Sequence, residues 1–151
     1  MREIEVFARS AAPPVQVWRW LADGKSYNTW TNLQRSELER EGVPAPDGVG
    51  AIRRFSIGPG ASREEIVAFE PPHHLGYVLL SGLPLRSYRA DVELTPDGDG
   101  TLIAWRATLE PRLAGTGAVM EAFLRFTITG LARGLARHTT HTTEASPFGV
   151  D

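Results

Sequence analysis

"RSYRADVELTPDGDGTLIAWRATLE", residues 86–110, is two runs of alternating character around a glycine-rich turn. Tyr88, Ala90, Val92 and Leu94 share one parity, and Arg89, Asp91, Glu93 and Thr95 the other. After the turn, Ile103, Trp105, Ala107 and Leu109 oppose Ala104, Arg106, Thr108 and Glu110. Successive residues of a strand face opposite sides of a sheet. The stretch therefore predicts an antiparallel hairpin with one wet face and one covered face.

The covering element lies downstream. Residues 116–141 hold Val119, Phe123, Phe126 and Gly130 at i, i+4, i+7 and i+11, and Met120, Leu124, Leu131 and Leu135 widen that stripe. One long helix is predicted, with this stripe against the sheet. Upstream, period-2 runs at 35–41, 50–57, 62–70 and 74–81 are separated by "PAPDG", "GPG" and "EPPHH". Connections this short imply antiparallel neighbours. A first strand spans 2–9. A helix starts at Pro13 or Pro14, where the missing N–H costs nothing, and a second short helix presents Tyr27 and Trp30.

Composition narrows the function. The chain has 151 residues, 42% of them hydrophobic and 23% charged, which suits one globular domain, read here as 1–142 with a flexible tail at 143–151. It has no cysteine, so disulfides, thiolate metal sites and a cysteine nucleophile are excluded. A net charge of -2 argues against nucleic acid as a partner. No apolar run approaches the roughly 20 residues of a membrane span, and the N-terminus lacks a signal-peptide core. A cytoplasmic protein is expected. The pairs His73–His74 and His138–His141 have no carboxylate at convincing spacing, so no metal is expected. There is no G-x-S-x-G, and neither "GPG" nor "GDG" opens a helix, so a serine triad and a phosphate loop are disfavoured.

The hairpin "AIRRFSIGPGASREEIVAF", residues 51–69, carries a charge doublet on each strand. A turn centred on residue 59 sets Arg53 opposite Glu65 and Arg54 opposite Glu64, one ion pair per face. The local pattern leaves the inner face open. Counting apolar residues favours the parity of Ala51, Arg53, Phe55, Ile57, Val67 and Phe69 as inward.

"GAIRRF", "REEIVAFEPPHHLGY", "TPDGDGT" ahead of "IAW", and "LARGLARH" together resemble bacterial SRPBCC proteins, within them the polyketide cyclase/dehydrase-like group. The resemblance covers about residues 2–140 and implies the helix-grip fold of START domains and the birch-pollen allergen. That is an α+β fold: a bent antiparallel sheet of about seven strands wraps a long C-terminal helix, with two short helices after strand 1. It also implies a cavity between sheet and helix for a hydrophobic or polycyclic small molecule, with no cofactor. In that family the Ile of "EEI" and the carboxylate two residues earlier line the cavity. This puts Ile66, Glu64 and its partner Arg54 inside. Phe55, Ile57, Val67 and Phe69 would then form an outer patch suited to a homodimer contact.

On that reading Glu64 would move a proton at an enolisable carbon and Arg54 would hold an enolate oxygen or carboxylate, as cyclisation or dehydration requires. The bland alternative is a structural ion pair. Tyr77 and Tyr88 are placed with hydroxyls inward, Trp30 at the mouth, and Trp105, Ile66 and Phe123 along the wall. The competing functions are a non-catalytic carrier or sensor of a hydrophobic ligand, and an interaction module.

Overall fold

A computed structural model describes residues 1–145, apart from the side chains of residues 57 and 143–145. The chain order is β1 (Arg2–Ser10), α1 (Pro14–Ala22), a 3-10 turn (Gly24–Ser26), α2 (Tyr27–Trp30), β2 (Arg35–Arg40), β3 (Ile52–Ile57), β4 (Gly60–Glu70), β5 (His74–Ser81), β6 (Leu85–Asp97), β7 (Gly100–Pro111) and α3 (Gly117–Ala145). The strands form one antiparallel sheet in the order β1-β7-β6-β5-β4-β3-β2. This is the expected helix-grip arrangement. The tail expected to be flexible falls outside the described residues from 146 onward.

The alternation of the 86–110 hairpin becomes the core. Tyr88, Ala90, Val92 and Leu94 on β6 and Ile103, Trp105, Ala107 and Leu109 on β7 are all buried. β1 adds Ile4 and Val6, while Phe7 faces out and carries the Arg106 guanidinium on its ring at 5.8 Å. Each large apolar side chain so buried stabilises the fold by about 1.5–3 kcal/mol.

α3 packs on β1, β7 and α1, and its inward stripe differs from the expected one. Met120, Leu124, Ile128, Ala132, Leu135 and Ala136 are buried, whereas Val119, Phe123 and Phe126 are 69%, 49% and 80% exposed. Two apolar stripes run along this helix at the same spacing. The one with small residues and Thr139 at its C-terminal end is the one that fits. There Thr139 and Ser10 share a buried hydroxyl–hydroxyl bond of 2.6 Å, and the Ala11 amide donates to Thr140 Oγ1 at 2.9 Å. Gly134 is where α3 meets α2: a Cβ there would collide with the Trp30 carbonyl oxygen.

Candidate functional site

The β3–β4 turn fixes the site. Ile57 pairs with Gly60, so the loop is two residues, Gly58 and Pro59, and Gly58 has φ +58°. Two-residue hairpin loops need this positive φ at their first position, which glycine adopts without strain. The loop is one residue shorter than the three-residue turn expected from the sequence. Arg53 therefore faces Glu64, Arg54 faces Arg63, and Ile52 faces Glu65.

That single step corrects the predicted pair. Arg54 is exposed, on the outer face, and is not the partner of Glu64. The outer charges tie instead to β2: Arg63 donates to Glu39 at 2.8 and 3.1 Å, and Arg40 lies 3.7 Å from Glu65. Inward stand Arg53 and Phe55 from β3, and Glu64 and Ile66 from β4. Arg53, Phe55 and Ile66 are all buried. The outer patch expected of Phe55, Ile57, Val67 and Phe69 is not formed as such. Phe55 stacks on Tyr27, with ring centroids 4.9 Å apart. The β4–β5 register slips between Ile66 and Ala68, which turns Phe69 inward to meet Trp18 at 5.2 Å.

Arg53 is 1% exposed and is held by the end of α1. Its Nη1 donates to the Leu21 carbonyl at 3.4 Å and to Tyr27 Oη at 2.9 Å, and its Nη2 donates to the Ala22 carbonyl. The Asp47 carboxylate lies 3.9 Å away. The last carbonyls of a helix lack intrahelical partners and carry its partial negative charge, so a cation is well placed there. Gly24 makes room: a Cβ would come within 2.9 Å of Arg53 Nε. That Nε has no hydrogen-bond partner among the described residues. Tyr27 donates to the Leu21 carbonyl at 2.7 Å, and burial, moderated by Arg53, pushes its pKa up to about 12.

Glu64 is the unsatisfied member. Among the described residues its carboxylate has no hydrogen bond and no close ion pair; Arg53 acts on it only through space. Burial pushes its pKa up to about 7, against the opposing pull of the Arg53 charge. Part of its surface is nonetheless open to a water-sized contact. The protein around the carboxylate desolvates it, while part of it stays within reach of a small molecule. Tyr77 and Tyr88 belong to the same interior. Both phenols are buried and held protonated, by burial first and also by the Glu64 charge. Trp105 Nε1 donates to Tyr77 Oη at 3.2 Å, and the two tyrosine rings lie 6.2 Å apart.

A family model described as polyketide cyclase/dehydrase and lipid transport matches residues 1–140. The chain belongs to this family. A START superfamily protein from Mycobacterium smegmatis is similar to it with a TM-score of 0.80 at 15% identity, over 93% of this chain and 99% of that one. The crystal structure of Ara h 8.0201 gives 0.77 at 14% identity, over 93% and 98%. Norcoclaurine synthase from Thalictrum flavum, solved in complex with dopamine and hydroxybenzaldehyde, gives 0.74 at 15%, over 93% and 87%. At these identities the likeness is one of fold. A comparison with curated protein sequences found no significant match.

Within this polyketide cyclase/dehydrase framework, the predicted wall residues divide. Ile66, Tyr77, Tyr88 and Trp105 are brought together inside with Glu64. Phe123 is not; it lies on the outer side of α3. Trp30 is 6% exposed, with its Nε1 donating to Ser26 Oγ at 3.2 Å and its ring against Tyr27 at 4.4 Å. It forms the floor of a groove between α2 and α3. Arg53, Tyr27 and Asp47 were missed as site residues. The usable signal was the Gly-Pro pair, which fits a two-residue turn and thereby places Arg53 inside. No group of three or more His, Asp or Glu side chains among the described residues is arranged to hold a metal ion, and no helix there is long and apolar enough to cross a membrane.

Proposed function

We propose that the protein binds a hydrophobic or polycyclic ketone between the sheet and α3 and moves protons on it with Glu64. The observation that supports this is the Glu64 carboxylate itself. It is desolvated, has no hydrogen-bond partner among the described residues, and stands opposite a buried Arg53. A structural ion pair would close on its partner. A carboxylate left open toward two phenols is available to a ligand. A general base works best when its pKa lies near the working pH.

The chemistry follows from the groups present. Ionised Glu64 takes a proton from the carbon beside a ligand carbonyl. The C–H electron pair moves into the enolate, and a hydroxyl of Tyr77 or Tyr88 hydrogen-bonds the developing oxyanion. Attack of that carbon on a second carbonyl closes a ring and leaves an alkoxide, to which Glu64 returns the proton. The regenerated carboxylate then takes the remaining proton from the same carbon, that C–H pair becomes the C=C bond as the C–O bond breaks, and Glu64 gives the proton to the departing hydroxide, which leaves as water. Arg53 has its guanidinium engaged by α1, so it acts as a fixed charge that limits how far the Glu64 pKa rises, and not as a ligand clamp.

The test uses β-tetralone, a bicyclic enolisable ketone, in deuterated buffer. Proton exchange at its activated carbon is followed by NMR, and binding by tryptophan fluorescence. Glu64→Gln is expected to slow exchange by roughly 100-fold or more while affinity stays close to wild type. Equal exchange in both proteins would remove Glu64 from the chemistry. Binding without any exchange in the wild type would make the protein a carrier, and absence of binding would favour an interaction module.

A further inference from the structure

The outer side of α3 is divided lengthwise. Its N-terminal half presents Val119, Phe123 and Phe126, all exposed. Its C-terminal half presents Arg133, Arg137 and His141, spaced i, i+4 and i+8. Between this crest and the end of α2 runs a groove of about 650 Å³, within the range that holds small organic ligands. Trp30, Leu33, Phe126 and Leu131 supply its apolar walls, and no acidic residue lines it.

The charges here differ from those elsewhere on the surface. Arg9, Arg63, Arg89 and Arg106 each lie on a carboxylate within 3.0 Å. Arg133 and Arg137 are exposed and have no carboxylate partner among the described residues. Two arginines beside one acid-free groove, on a chain of net charge -2, make a local anion-attracting site. Gly130 keeps it open. A Cβ at Gly130 would meet nothing within 4 Å, so packing does not explain a glycine in mid-helix.

We propose that the α2–α3 groove is a second binding site, separate from the interior one, for a long-chain carboxylate. The chain lies along Phe126, Leu131, Trp30 and Leu33, and the carboxylate meets Arg133 and Arg137. A second copy of this chain laid parallel on the crest would set arginine against arginine, and no acidic residue lines the groove to receive its arginines in either direction.

The probe is dansylaminoundecanoic acid, compared with its uncharged methyl ester, by fluorescence on the full chain. The acid is expected to bind more tightly than the ester. The double variant Arg133→Glu, Arg137→Glu should weaken the acid by about tenfold or more, since one charge-assisted contact is worth that factor. Gly130→Trp, which fills the groove, should weaken both probes. Excess β-tetralone should leave the acid's affinity unchanged, which separates this site from the interior one, and displacement of the acid by it would overturn the proposal. Equal binding of the acid by wild type and the double variant overturns the proposal, as does equal affinity for acid and ester. It is also overturned if the double variant loses only cosedimentation with phosphatidylglycerol vesicles, which would mark a membrane surface.

Discussion

Arg53 and Glu64 face each other across the β3–β4 hairpin on the inner side of the sheet, yet they share no hydrogen bond. The α1 carbonyls and Tyr27 take the guanidinium, and the carboxylate is left to the interior. The hairpin is thus two structures back to back. Its outer charges brace β2, and its inner ones hold a cation and free an acid.

Arg53 and Arg54 are adjacent in sequence and should differ sharply on substitution. Arg53→Ala strands Tyr27, two helix-end carbonyls and Asp47, and should cost on the order of 3 kcal/mol. Arg54→Ala, at an exposed site, should stay within about 0.5 kcal/mol of wild type. Urea denaturation of both variants checks this; similar losses would contradict the two-residue turn register.

Glu64 should make stability fall as pH rises. Its pKa of about 7 in the folded protein exceeds the ordinary 4.5. Between those values the folded state holds a proton that the unfolded chain has released, so the slope is negative in that window. Allowing for the part that solvent reaches, the fall is on the order of 2 kcal/mol. Glu64→Gln should flatten the urea midpoint between pH 5 and pH 8 and be the more stable protein at pH 8.

The fold was legible where alternation was strong and two-sided. Tyr88 to Leu94 and Ile103 to Leu109 reveal their own faces, because charge marks the opposite parity. The site was less legible because it rests on counts of one. "GPG" is compatible with a two- or a three-residue loop, and a slip of one residue turns Arg54 inward in place of Arg53. The bulge that inverts Phe69 has no local signal in "IVAFE". On α3, Val119, Phe123 and Phe126 repeat as regularly as Met120, Leu124 and Ile128. Only the fit of Ala132, Ala136 and Thr139 against the rest of the core selects between them.

His74 should contribute stability that is lost at alkaline pH. Partial burial lowers its pKa, but the Glu70 and Asp91 carboxylates, 2.6 and 2.7 Å from its two nitrogens, outweigh that and hold it above 6.5. The contribution is full below about pH 6.5 and fades as pH rises through the raised value. His74→Gln should therefore be destabilised near pH 6 and approach wild type near pH 9. A constant difference across that range would contradict the imidazolium clamp.

The two glycines that line the α2–α3 groove should respond in opposite directions to alanine. Gly130→Ala enters open space and should stabilise α3 by about 1 kcal/mol. Gly134→Ala meets the Trp30 carbonyl and should destabilise by about 1–3 kcal/mol. Thermal melts of the two variants decide the point.

The most direct test is the titration of Glu64 itself, followed by the carbon-13 shift of its carboxyl in selectively labelled protein. The midpoint should lie near pH 7, move higher in Arg53→Met, where the opposing charge is gone, and stay put in Arg54→Met. A midpoint near the ordinary 4.5, unmoved by Arg53→Met, would place the carboxylate in open water and contradict the site.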